Sequence, residues 1–214
     1  HPAGSLLNVL LWHGRTWSDT QRPSLVGRLD KLTSGLVLVA KSTAVHARLQ
    51  RILSSVRSEK RYLAVAYGSM AAPRTDIDLH LKRDPLDRRR VIATRDDGLP
   101  SLTHVERLAQ SENAGCPMTL ACCRLATGRM HQIRVHMAAR GWPLVGDPKY
   151  GEPRWRDLPE SAARTTLETF PRQALHAWKL SFAHPSNGTR IDVTAPIPAD
   201  LLQLMETCGL RRPQ

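Results

Sequence analysis

Aromatic residues make up only 5% of the 214-residue sequence, which argues against a surface that stacks many single-stranded bases. No apolar run approaches the length of a membrane span, and no secretory signal pattern is present. A glycine-rich dinucleotide fingerprint and a P-loop are both missing, which removes the usual sequence signs of nucleotide-driven or redox chemistry. There is no HExxH pattern and no G-x-S-x-G elbow, so zinc-peptidase and serine acyl-transfer readings lose their main supports. The four cysteines, Cys116, Cys122, Cys123 and Cys208, form no C-x-x-C pair. Buried, reduced thiols of a cytoplasmic protein are expected, with Cys122 and Cys123 on opposite faces of one strand.

Acidic residues are also scarce. Lys and Arg total 31 against 19 Asp and Glu, a formal charge of +12. Such an excess suits a polyanionic partner, because each neutralised phosphate releases counterions. An anionic membrane surface would need a basic amphipathic helix, and none is evident, so nucleic acid leads. Hydrophobic residues at 41% and charged residues at 23% describe a globular chain long enough to bury a core. No repeat and no long linker divides it.

Along the chain, Ser5 caps a short helix running to Leu11. Residues 13–25 read as a polar loop. Leu36–Ala40 reads as a buried strand following a Thr-Ser-Gly turn. Ser42 caps a second helix with Val45, Leu49, Ile52, Leu53 and Val56 on one face, and His46, Arg48, Arg51 and Arg57 solvated. Residues 60–68 form a strand closed by Gly68. Leu79, Leu81, Val91–Ile92, Leu102–Leu108 and Met118–Leu125 suggest further strands in an antiparallel meander, with a basic hairpin tip around Asp84-Pro85. A helix is predicted over Arg129–Arg140, ended by Gly141, with Met130 and Arg134 on one face and Gln132 and His136 on another. Residues 146–172 read as irregular. Strands at 174–183 and 190–194 and a helix at 198–208 close the chain.

Three polar islands interrupt this pattern. The first is Gly27-Arg28-Leu29-Asp30-Lys31, where Asp30 precedes a core element and Arg28 and Lys31 would keep its carboxylate ionised. The second is Lys60-Arg61-Tyr62. The third is Arg129 to His136, where His131 and His136, five apart, do not share a helical face and so do not suggest a metal site. Read alone, the first island is an ordinary surface loop and the third a charged surface helix.

Taken together they say more. Gly27-Arg28-Leu29-Asp30-Lys31-Leu32-Thr33-Ser34-Gly35 resembles the H-R-L-D-x-x-T-S-G signature of the RluA family of RNA pseudouridine synthases. Lys60-Arg61-Tyr62-Leu63-Ala64 is similar to its K-x-Y-x-A motif, and Thr127 to His136 resembles T-G-R-x-H-Q-I-R-x-H. Gly146-Asp147-Pro148-Lys149-Tyr150-Gly151 matches the G-D-x-x-Y-G that follows, and Arg172 to Ala177 fits the closing strands. The order and spacing agree over nearly the whole chain. Gly27 departs from the family's usual His. The family's N-terminal strand lies before His1, so an upstream strand or RNA-binding domain is expected to be missing from a single catalytic domain spanning 1–214.

The resemblance implies an α+β fold: a mixed, mainly antiparallel bifurcated sheet flanked by helices, with a central RNA-binding cleft. It implies isomerisation of uridine to pseudouridine in ribosomal or transfer RNA by a monomer, without cofactor, metal or membrane. Asp30 would be the nucleophile, attacking ribose or base, or would deprotonate C2′; the sequence does not choose. Arg134 would pair with Asp30, and Tyr62 would pack on the uracil and could remove the C5 proton. Arg28 would fill the space vacated by the flipped base or hold a phosphate. Arg129, His131 and Gln132 would line the RNA-facing side, and Ile133 would wall the pocket. An inactive RNA-binding or RNA-folding module is the alternative; a sugar hydrolase would need a second paired acid, which is not evident. RNA affinity should fall steeply as salt is raised, measured by filter binding across a salt series; a flat response would contradict the electrostatic reading.

Overall fold

The computed structural model describes residues 4–17, 22–55 and 57–211. Its helices and strands, in chain order, are α1 (Leu6–His13), β1 (Ser24–Leu25), β2 (Ser34–Gly35), β3 (Val39–Ala40), α2 (Thr43–Leu53), β4 (Glu59–Tyr67), β5 (Arg74–Asp78), β6 (His80–Arg83), β7 (Val91–Thr94), β8 (Leu102–Ser111), β9 (Met118–Leu125), α3 (Gln132–Ala139), α4 (Ala162–Thr169), β10 (Leu175–Ala183), β11 (Arg190–Thr194) and α5 (Ala199–Thr207). Short 3₁₀ turns lie at Gly14–Thr16 and Arg154–Asp157. The expected α+β class holds. No described helix is long and apolar enough to cross a membrane.

The chain divides into two compact units. The first comprises residues 1–29, 36–59 and 179–194. Here α2 is capped by the Ser42 hydroxyl, which accepts from the Val45 N–H at 3.4 Å. Its apolar face, Val45, Leu49, Ile52 and Leu53, packs with Val26, Ala40 and Phe182 as its spacing requires. Val56 and residues 18–21 lie outside the described residues. Arg48, Arg51 and Arg57 are exposed, but His46 is half-buried and bonds the Ser24 hydroxyl at 2.8 Å, so it is not the solvated residue expected.

The second unit comprises residues 30–35, 60–178 and 195–214. It is built on the antiparallel neighbours β4, β9, β8 and β5, with β10 on the other side of β4 and β2 pairing in parallel with β10. Strand β4 is covered on both faces. Leu63, Val65 and Tyr67 enter a core with Leu201, Leu204 and Met205 of α5 and Leu167 of α4. Ala64 and Ala66 enter a second core with Ile133 and Met137 of α3. Their small side chains and Ala121 leave room for α3, whose buried Ile133 and Met137 each stabilise by about 1.5–3 kcal/mol. As the period of a strand demands, Cys122 joins the first core and Cys123 the second, and all four cysteines are free thiols.

Three expectations change here. The Leu36–Ala40 run is not one strand: Ser34–Gly35 pairs with His176–Ala177, Val39–Ala40 pairs with Ser24–Leu25, and Val37 between them is 42% exposed. Within the run only Val39–Ala40 is strand, and apolar alternation cannot register that Leu36–Leu38 merely connect it to β2, which has a different partner. The helix predicted from Arg129 begins at Gln132, because His131 adopts a left-handed backbone, φ 54°, that ends any helical path before it. It is no surface helix either, since Gln132 to Met137 are all buried. Residues 146–172 contain α4, capped by Ser161 and anchored by buried Ala163 and Leu167.

Gly35 has φ 110°, and a β-carbon there would fall on the backbone of Ala177. Only glycine permits this close pairing of β2 with β10. Gly35→Ala should therefore lower stability by more than about 1 kcal/mol, read as a reduced urea midpoint.

Candidate active site

The second unit brings Asp30, Tyr62 and Arg134 together from a loop, a strand and a helix. Arg134 is central. Its Nε and Nη2 donate to Asp147 Oδ2 and Oδ1 at 2.7 and 2.8 Å, while its Nη1 donates to Asp30 Oδ2 at 3.1 Å. The Arg134 side chain is 4% exposed, Asp147 0% and Asp30 14%, so the last is the one open to a ligand. A buried guanidinium is tolerated only when its fork is matched, and the two-bond geometry with Asp147 does this. Burial by itself would raise the Asp147 pKa. The two bonds and the charge of Arg134, with N–H groups from Lys149 and Tyr150, instead hold it below the usual carboxylate value. Burial likewise works against the Arg134 charge, and the two carboxylates more than offset it.

The Asp30 loop is held from behind. Thr33 N–H donates to the Asp30 carbonyl at 3.0 Å, closing a turn in which Leu32 takes φ 76°. A left-handed leucine costs of order 1–3 kcal/mol and needs support. Gln173 Nε2 donates to the Lys31 carbonyl at 3.0 Å and the Thr33 hydroxyl at 2.8 Å, and Arg172 Nη1 reaches the Leu32 carbonyl at 3.4 Å. The counter-charge to Asp30 is thus Arg134, as the resemblance implied; Arg28 and Lys31, which the local reading had holding the carboxylate, are both exposed.

Tyr62 sits on the α3 side of β4 and feels the Asp30 charge. Burial first, and that charge second, push its hydroxyl up to about 12. It is a neutral phenol at pH 7, not a resting base. His131 occupies the other strained position: its Nδ1 bonds Tyr150 Oη at 2.8 Å and its Nε2 lies 3.9 Å from Asp30 Oδ2. Burial lowers its pKa despite the opposing pull of Asp30, so it too is neutral at pH 7.

Other expected site residues have different surroundings. Gln132 is buried with its amide saturated: Oε1 accepts from Thr127 Oγ1 and the Arg129 N–H at 2.8 and 3.0 Å, and Nε2 donates to the Leu102 carbonyl and Thr103 Oγ1, both at 3.0 Å. That geometry makes it an anchor of α3 on β8 rather than an RNA-facing group. His136, one turn on, bonds the same Thr103 hydroxyl at 3.0 Å, and burial pushes its pKa down to about 4. Ile133 packs in the core with Ala64 and Ala66. Arg129 is exposed, and Arg28 is exposed in the first unit. Gly27, where the family has His, has φ 83° with open space beyond its α-carbon, so a side chain would fit but its backbone would be strained.

The sequence matches the RNA pseudouridylate synthase family over residues 14–139. The chain belongs to that family. It is 42% identical over 208 residues to ribosomal large subunit pseudouridine synthase D of Xanthomonas campestris pv. campestris, covering 96% of this chain and 60% of that protein. It is 39% identical over 209 residues to the uncharacterized RNA pseudouridine synthase YlyB of Bacillus subtilis, covering 96% and 63%. The chain therefore spans about three fifths of the length of these curated relatives. Among solved structures, human RNA pseudouridylate synthase domain containing 1 aligns with a TM-score of 0.68 at 29% identity, covering 86% of this chain and 73% of that one. Human RNA pseudouridylate synthase domain containing 4 aligns at 0.73 and 20% identity over 100% and 87%, a likeness of fold.

Within this pseudouridylate synthase-family chain, sequence reading left Asp147, Tyr150 and Gln173 without a role. All lie in stretches whose resemblance was visible, Gly146 to Gly151 and Arg172 to Ala177, so the signal existed. The glycines there are steric: a β-carbon on Gly146 would strike the Arg172 carbonyl and one on Gly151 the Asp147 carbonyl. Asp147 makes a pH prediction. Its folded-state pKa is depressed, so its stabilisation is complete above the unfolded value near 4 and is lost as pH falls through the folded value. Asp147→Asn should lower stability at pH 7 by about 3–5 kcal/mol and flatten the acid limb below about pH 4, followed by urea unfolding from neutral to acid pH.

Proposed function

We propose that this chain isomerises uridine to pseudouridine in RNA, with Asp30 as the nucleophile. The observation that carries the reading is the sharing of Arg134, which binds the buried Asp147 through two bonds and leaves Asp30 one bond and partial exposure. Among the described residues, Arg134 is the one side chain within hydrogen-bonding distance of the Asp30 carboxylate. The carboxylate is thereby oriented, while the guanidinium's main pairing is with Asp147. The names of the relatives favour ribosomal RNA as the substrate over transfer RNA.

The chemistry closes without an outside reagent. The N1–C1′ bond breaks, the uracil turns, a C5–C1′ bond forms, C5 loses a proton and N1 ends with one. Asp30 supplies electrons to the nucleoside at the start and is restored as a carboxylate at the end. Arg134 stabilises the carboxylate whenever it carries charge. Tyr62, a phenol while Asp30 is charged, packs its ring on the uracil. It becomes easier to ionise once a covalent bond removes the Asp30 charge, which is when the C5 proton must leave. Arg129, exposed, is assigned to the RNA-facing side, and Arg28, exposed in the first unit, keeps the role the resemblance gives it, a flanking phosphate or the space left by the flipped base.

A sugar hydrolase is less well served. The structure does supply a second carboxylate, Asp147, which sequence reading did not pair with Asp30. Held ionised and fully buried, it has no proton to give a leaving group. An inactive RNA-binding module is separated from an isomerase by tritium release from RNA labelled at uracil C5. Release is expected with the wild type on large-subunit ribosomal RNA, and Asp30→Ala should reduce it to the enzyme-free level. Tyr62→Phe should retain RNA affinity and release tritium about 100-fold more slowly or worse. RNA binding with no release by the wild type would favour the inactive module.

A further inference from the structure

Tyr150 lies beside the site, and the scheme above leaves it without a task. Its hydroxyl accepts the Val91 N–H at 2.9 Å and lies 2.8 Å from His131 Nδ1. Its ring carries the Arg134 guanidinium at 5.1 Å and the Arg90 guanidinium at 5.4 Å. The next residue back, Lys149, donates from Nζ to the Arg89 carbonyl at 2.8 Å. Strands β6 and β7 form an antiparallel hairpin whose connection carries Arg88, Arg89 and Arg90. One tyrosine therefore ties the end of this basic hairpin to the residue facing the nucleophile.

The proton inventory of these groups is restrictive. A phenol has one proton to give. Val91 N–H takes one lone pair of the Tyr150 oxygen, and among the described residues the partner that pairs the phenol proton is His131 Nδ1, provided that nitrogen accepts. A neutral imidazole that accepts at Nδ1 carries its own proton on Nε2. Nε2 is the nitrogen facing Asp30 Oδ2, at 3.9 Å, about one ångström beyond a hydrogen bond. His131 carries this ring from a left-handed backbone, an uncommon choice for a non-glycine residue.

We propose that Tyr150 is a positioning residue that fixes His131 as the Nε2–H tautomer, giving the Asp30 carboxylate an uncharged donor, and that it links this donor to the β6–β7 hairpin. The opposite tautomer would turn a lone pair toward a carboxylate and repel it. A protonated imidazole would add a second cation beside Arg134 and restrain the nucleophile more tightly. The neutral Nε2–H form faces Asp30 without either penalty and becomes a donor to it when the gap closes by about one ångström. The catalytic part of this inference rests on the proposed isomerase; the tautomer itself does not.

Nitrogen-15 NMR of histidine-labelled protein reads the tautomer directly. The wild type at pH 7 should show His131 neutral and protonated on Nε2, and Tyr150→Phe should show a mixture of both tautomers. In single-turnover tritium release, Tyr150→Phe should slow the step by about 10- to 100-fold, with RNA affinity within about twofold of wild type. Losing a donor to the neutral ring favours its charged form, so the acid limb of the variant's pH–rate profile should move to higher pH. The groups whose charge acts on His131 are Asp30, Arg134, Lys149 and Asp147, and all of them remain in this variant. His131→Gln, which keeps an amide donor and cannot titrate, should retain more activity than His131→Ala, and adding Tyr150→Phe to it should leave its acid limb where it is. A wild-type His131 that is protonated at pH 7 or carries its proton on Nδ1 would overturn the proposal, as would an unchanged tautomer in Tyr150→Phe. The expected tautomer in a wild type that releases no tritium would sink the isomerase and leave the positioning role standing.

Discussion

One guanidinium shared by two carboxylates sets the terms for the rest of this site. Arg134 is almost wholly removed from water, where an unpaired charge would be prohibitive, so its partners must be placed as carefully as it is. Asp147 is the structural partner, fully buried and bonded twice. Asp30 is the partly exposed partner, bonded once. Two negative charges on one positive leave the cluster with a surplus carboxylate, and the surplus falls at the position open to solvent.

Keeping that division requires backbone conformations that the chain would not choose alone. Leu32 and His131 both sit at positive φ, one in the turn carrying Asp30 and the other just before the helix carrying Arg134. Gln173 and Arg172 hold the first turn by its carbonyls. Gln132, saturated by four bonds, and His136 hold the start of α3 to Thr103. Strain at these two points is supported by hydrogen bonds from neighbouring side chains, the arrangement expected where geometry matters more than local stability.

Much of this was legible in the residues. Amphipathic spacing located α2, strand period sent Cys122 and Cys123 into different cores, and the motif order pointed to Asp30, Tyr62 and Arg134. Other features were hidden for physical reasons. Helix α4 is short and threonine-rich, with weak intrinsic preference, and packing of Ala163 and Leu167 decides it. The Leu36–Ala40 run looks continuous because apolar pattern reports burial and says nothing of which strand is the partner. Gln132 looked like a ligand-facing amide because polarity alone does not reveal that its bonds are satisfied inside the protein.

Arg28-Leu29-Asp30-Lys31 shows the division most clearly. Sequence by itself determined the family and the basic character and put forward Asp30, Tyr62 and Arg134 as the residues we propose for catalysis, because these depend on residue type and order. Adjacent charges also suggested that Arg28 and Lys31 hold the carboxylate. The family resemblance paired Asp30 with Arg134 instead, and the structure makes that pair across 104 positions; only the tertiary structure revealed Asp147 behind it. Ion pairing in a buried site follows distance and desolvation, and neither can be read from neighbours along a chain.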